Sequence, residues 1–151
     1  MKLKLFALFL AVIVSSGVIL AEHVYAYQYL YDVDTGTGEK ITKDRAGGNF
    51  VYYYTFNSDK SKCYMTNENG VVKKTWSSTP IVYTYKGTKN GALIYHGYAD
   101  YLRSGSKDVE GYIYFSPDYK RLNVPDSRDA RIVMVLEEYQ SDKFGAPSQM
   151  W

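Results

Sequence analysis

With 18 basic and 16 acidic residues spread along 151 positions, the chain has a formal net charge of only +2. That leaves no electrostatic footprint for nucleic acid and no polybasic segment to hold it on a membrane surface. A single cysteine, Cys63, excludes an internal disulfide, while 17 tyrosines point to partners recognised by shape and ring surface rather than by charge.

The first residues read as an export signal. Lys2 and Lys4 form a short positive region, and the apolar run from Leu5 to Ala21 is interrupted by Ser15, Ser16 and Gly17. Val24 and Ala26 stand at the small-residue positions before a cut. The expectation is a secretory signal peptide over 1–26, cleaved after Ala26, followed by one domain over 27–151. A spanning helix needs about 20 unbroken apolar residues. This run is shorter and broken, so the expected location is secreted or periplasmic, with no membrane span after cleavage.

From Tyr27 onward the chain is rich in Tyr, Val, Ile, Phe and Thr, the residues that suit a pleated, half-buried surface. In chain order the predicted strands are Tyr27–Val33, Phe50–Phe56, Lys62–Thr66, Val71–Thr75, Ile81–Tyr85, Leu93–Tyr98, Gly111–Phe115, Arg121–Val124 and Arg131–Tyr139. Turn clusters rich in Gly, Asn, Asp, Ser and Lys separate them. Ala99–Ser104 is the best helical stretch, a turn or two at most. The fold class expected is all-β, a single antiparallel meander of about 8–10 short strands forming a barrel or a flattened β-sandwich.

Period 2 sorts the faces. Tyr27, Tyr29 and Tyr31 fall on one side, with Gln28, Leu30 and Asp32 on the other, and Tyr112 and Tyr114 share a face opposite Ile113 and Phe115. Ile132 to Leu136 is apolar on both faces, which marks a central strand or one that closes a barrel. Two hairpins look alike: Phe56–Met65 and Phe115–Val124 each place Asp three residues after Phe and a basic residue six after it.

Asp34-Thr35-Gly36 resembles the catalytic loop of the aspartic proteases. That resemblance implies a dimer, because two carboxylates must share one proton and the chain has one such triplet. The surroundings favour a turn instead: charged Asp32 lies two residues before Asp34, and Gly38-Glu39-Lys40 is exposed-turn chemistry. Read as a calcium loop, the same segment puts Gly36 where a ligand belongs and has no closing Glu. His96, in a predicted strand, and Cys63, in another, read as structural residues, and no phosphate-cradling glycine loop is present. No cofactor or metal is expected.

The leading expectation is a non-enzymatic domain that holds a glycan or a small amphiphile on Tyr and Trp faces. Its candidate ligand-binding residues are Trp76, Tyr53, Tyr83, Tyr85, Tyr112 and Tyr114. An alternative is a structural or interaction subunit that docks a protein partner through sheet edges or aromatic loops, and a single-triplet dimeric aspartic protease is the remote one.

Overall fold

In a computed structural model, which describes residues 23–41, 50–74, 78–99, 109–126 and 129–144, the chain forms an antiparallel β-barrel. The strands are β1 Val24–Asp34, β2 Lys40–Ile41, β3 Val51–Phe56, β4 Lys62–Thr66, β5 Val82–Lys89, β6 Ala92–Ala99, β7 Val109–Phe115, β8 Arg121–Pro125 and β9 Ile132–Glu138, followed by a single helical turn α1, Ser141–Phe144. Neighbours in sequence pair from β3 to β9, and β9 then pairs with β1. Eight strands thus close into a barrel, with β2 added beside the far end of β1. Closure leaves β9 no free edge, since β8 and β1 flank it, and Val135 and Leu136, on opposite faces, are both buried.

Each barrel strand contributes one side chain to a buried belt: Tyr27, Tyr54, Cys63, Tyr83, Tyr95, Phe115, Leu122 and Leu136. Phe115 lies at its centre, with the rings of Tyr27, Tyr54, Phe56, Tyr95 and Tyr119 at centroid distances of 5.8, 5.9, 5.3, 5.4 and 5.8 Å. Edge-to-face and tilted rings at such spacing fill space densely and satisfy their quadrupoles. Side chains therefore fill this part of the interior, in the manner of small eight-stranded barrels. Cys63 is fully buried there, and burial pushes its thiol well above the ordinary range, so it is inert packing.

The two similar hairpins lie at the same end and are built alike. Lys60 and Tyr119, each four residues after its Phe, both adopt left-handed backbone conformations, φ 56° and 60°. In the first hairpin the Asn57 side chain accepts from Lys62 N–H at 2.8 Å and Asp59 accepts from Ser61 N–H at 2.9 Å. In the second, Ser116 Oγ accepts from Arg121 N–H at 2.9 Å and Asp118 from Lys120 N–H at 3.1 Å. Core phenols then reach out to fix both turns. Tyr95 donates to the Lys60 carbonyl at 2.8 Å and Tyr27 to the Tyr119 carbonyl at 2.6 Å. The Lys60 ammonium sits 4.1 Å from the Tyr119 ring centroid and ties one hairpin to the other. Together they form a floor across one end of the barrel.

These two phenols give a pH signature. Burial, foremost, raises the pKa of both Tyr27 and Tyr95 far above the usual tyrosine range. The folded state therefore keeps protons that the unfolded state loses near pH 10. Their contribution is fully present below that pH and is lost as pH rises above it. In an alkaline titration followed at the phenolate absorbance, two tyrosines are expected to ionise only together with loss of the near-ultraviolet dichroism of the fold. Smooth ionisation of all tyrosines with the fold intact would refute this.

Several expectations need correction. A bulge between Tyr29 and Tyr31 breaks the alternation of β1: Tyr29 pairs with Leu136 and Tyr31 with Val135. Asp32 consequently comes opposite Met134 and turns inward, 2% exposed, instead of sharing the outward face with Gln28. Of the strand expected over Val71–Thr75, residues 71–74 form no continuous strand: Val72 and Lys74 make isolated bridges to Thr66 and Pro80, and Thr75 lies outside the described residues. Ala99 ends β6, and the remainder of the stretch read as helical lies outside the described residues. Most of the segment read as a signal peptide, 1–22, also lies outside them. Val24, Tyr25 and Ala26 pair with Thr55, Tyr54 and Tyr53, and the Tyr25 ring packs 5.4 Å from Phe56 in the floor. A cut after Ala26 would remove these three pairs from β1.

Candidate functional site

The five tyrosines singled out from the sequence scatter over the barrel. Tyr83 is core: its ring lies 6.4 Å from that of Tyr54. Tyr85 stands at the rim, 40% exposed, with its ring against Tyr95 and its hydroxyl 3.0 Å from Thr88 Oγ1. Tyr53 is a half-buried residue of β3, paired with Ala26 and Thr66; partial burial, then the charges of Glu68 and Tyr139, raise its pKa. Trp76 lies outside the described residues.

Tyr112 and Tyr114 share one outward face. Both project from the outer wall of β7, because Ile113 and Phe115 take the inward positions. Tyr112 is 45% exposed and packs on one side against His96, with ring centroids 4.4 Å apart. Two positions along the strand, Tyr114 borders a cleft of about 350 Å³ between the β5–β6 turn and the β7–β8 hairpin. Ligand sites span about 300–1,000 Å³, so this one has room for a small group or one unit of a polymer.

Local sequence positions every wall of the cleft. Asn90-Gly91, with φ 51° and 78°, is a two-residue turn of the mirror-image type that matches strand twist. It brings Asn90 and Ala92 to one side. Pairing of Tyr114 with Asn123 sets the amide beside the ring, and Pro117 and Arg121 of the hairpin complete the lining. The polar groups differ in how they are engaged. Ser116 Oγ donates to Asp118 at 2.6 Å, and that bond, with the Lys120 N–H, holds the Asp118 carboxyl below its ordinary range. Glu137, opposite Arg121 in the ladder, is bound by Lys143, and that bond, with the Lys143 and Arg121 charges, lowers its pKa likewise. By contrast, the side chains of Asn90, Arg121 and Asn123 make no hydrogen bond or ion pair among the described residues. Three uncommitted polar groups thus converge on one tyrosine face.

No known family model matches this chain, and no curated protein or solved structure is significantly similar to it.

The motifs with a chemical reading resolve into structure. Asp34 Oδ1 accepts from Gly36 N–H at 2.8 Å and from Thr37 N–H at 3.3 Å, so the triplet forms an Asp-initiated turn. Asp32, two residues earlier, points into the barrel and shares no loop with it. Among the described residues no cluster of three His, Cys, Asp or Glu side chains could hold a metal. Lys73, whose pKa burial brings down to about 8, carries no sequence signal that would have singled it out. Asn90, Arg121 and Asn123 escaped the sequence reading for a different reason: each looks like an ordinary turn or edge residue, and only pairing assembles them.

Proposed function

We propose that the protein is an exported, non-enzymatic binding domain that holds a glycan on the outer wall of β7. The observation that carries this reading is the outward face shared by Tyr112 and Tyr114, where Tyr114 borders a cleft that holds the amides of Asn90 and Asn123. Flat rings offer the apolar faces of sugars a surface, while amides match their hydroxyls. A ligand within the barrel has less support, since Tyr27, Tyr54, Tyr83, Tyr95 and Phe115 occupy the belt. The lysines and apolar run at the start of the chain support export. No helix among the described residues is long and apolar enough to cross a membrane.

Thermal unfolding with a panel of soluble glycans tests the reading. A ligand at 100 times its dissociation constant, bound only by the folded state, adds about 2.7 kcal/mol. A clear rise in melting temperature is expected for one glycan class, and Tyr114→Ala is expected to abolish it while leaving the unliganded melting point within about 0.5 kcal/mol of the parent. An undiminished rise in Tyr114→Ala, or none for any glycan, would sink the proposal.

One observation favours a second reading, a protein partner. The β7–β8 ladder has only two pairs, Tyr114–Asn123 and Phe115–Leu122, whereas β6–β7 continues to Ala99–Val109. By the same register Pro125, which has no N–H, stands opposite Tyr112 and ends the ladder. An incoming extended segment could add there as a strand.

A further inference from the structure

We propose that the cleft beside Tyr114 takes the carboxylate of an acidic sugar, with Arg121 as its anchor. The inference rests on the glycan reading above and names the ligand class of the same site. The cleft has a single charged side chain in its lining, Arg121. Neither nearby carboxylate hydrogen-bonds the guanidinium: Asp118 is held by the Ser116 hydroxyl and the Lys120 N–H, and Glu137, which feels the Arg121 charge across the ladder, is bound by Lys143. Arg121 lines the cleft with no hydrogen bond to its guanidinium among the described residues, and a carboxylate is the group that two parallel N–H donors match. Asn90 and Asn123 flank it with amides that both donate and accept, suited to ring hydroxyls. Tyr114, Ala92 and Pro117 supply the apolar floor on which the C–H face of the same ring would lie. A simple anion would leave the amides and the ring unused, and a neutral sugar would leave the guanidinium unused. A uronic acid uses all three.

Calorimetric titration of the exported protein tests this. The probes are an oligosaccharide containing glucuronic acid, its carboxyl-reduced counterpart, and a short peptide ending in a free carboxylate. At low salt the acidic glycan is expected to bind at least tenfold more tightly than the reduced one. That preference is expected to vanish in Arg121→Gln and to survive in part in Arg121→Lys, which keeps the charge but not the fork. Arg121→Gln is expected to melt with the parent, because the Arg121 contact that holds the hairpin is its backbone N–H. Equal affinity for the acidic and reduced glycans would overturn the carboxylate assignment and leave the glycan reading standing. No binding of either would overturn both. A preference that persists in Arg121→Gln would place the carboxylate elsewhere, and tighter binding of the peptide would replace the sugar with a chain terminus; either overturns the inference.

Discussion

Phe115→Ala is expected to cost about 3–5 kcal/mol of folding stability, the range for deleting a large ring from a filled core. Phe115 is fully buried and touches five rings drawn from β1, β3, β6 and the β7–β8 hairpin. Those partners are themselves restrained. Tyr27 and Tyr95 are fastened by their hydroxyls to the two floor hairpins, so they cannot swing into the void without giving up hydrogen bonds. A site that collapses poorly retains more of its cavity, which puts this substitution toward the upper part of the range. Urea unfolding reads the result: the midpoint should fall sharply with the slope unchanged. Tyr112→Ala, at an exposed ring on the same strand, should stay within about 0.5 kcal/mol of the parent. A loss below about 1 kcal/mol for Phe115→Ala would show that the belt is not the packed core described here.

Gly97→Ala is expected to be the most damaging small substitution in the barrel. Gly97 is buried in β6 opposite Tyr83 on one side and Gly111 on the other. A Cβ there would stand 2.4 Å from the Val82 carbonyl oxygen and 2.7 Å from Cδ1 of Tyr83. The first contact is backbone and cannot step aside without bending β5; the second belongs to a ring wedged in the core. Overpacking of this kind costs about 1–3 kcal/mol, and involvement of the backbone places Gly97→Ala at the top of that span. Trimming the ring should relieve only part of the strain, so Gly97→Ala combined with Tyr83→Leu should not regain the stability of Tyr83→Leu alone. Gly111→Ala is the internal control, since its added Cβ would meet the nearest atom at 3.6 Å, ordinary contact. Comparable losses at Gly97 and Gly111 would mean that β6 and β5 are further apart than this geometry requires.

Much of the fold was open to reading along the chain because it depends on neighbours in sequence. The Asp34 turn follows from a carboxylate that bonds N–H groups two and three residues on, a contact decided within four residues. The hairpins after Phe56 and Phe115 were legible as a pair for the same reason: their side-chain bonds all close within five residues. The strand Ile132–Glu138 declared its place through composition, because a strand apolar on both faces must be covered on both.

What the chain alone left open was everything that depends on where the sheet closes. Tyr83 and Tyr114 are the same residue in similar strands, yet one is core and the other wall, because only closure of β9 onto β1 sets which face of each strand turns inward. The bulge at β1 has no local signature, yet it turns Asp32 inward, whereas the register shift in β5 falls at Gly87, whose φ of 125° favours glycine. The cleft likewise joins the β5–β6 turn at residue 90 to the β7–β8 hairpin, two segments distant in sequence that hydrogen-bonded register brings within reach. Composition and period thus dictated the kind of structure through short-range chemistry. Long-range pairing decided which of many equivalent tyrosines stabilise the barrel and which stand on its outer wall.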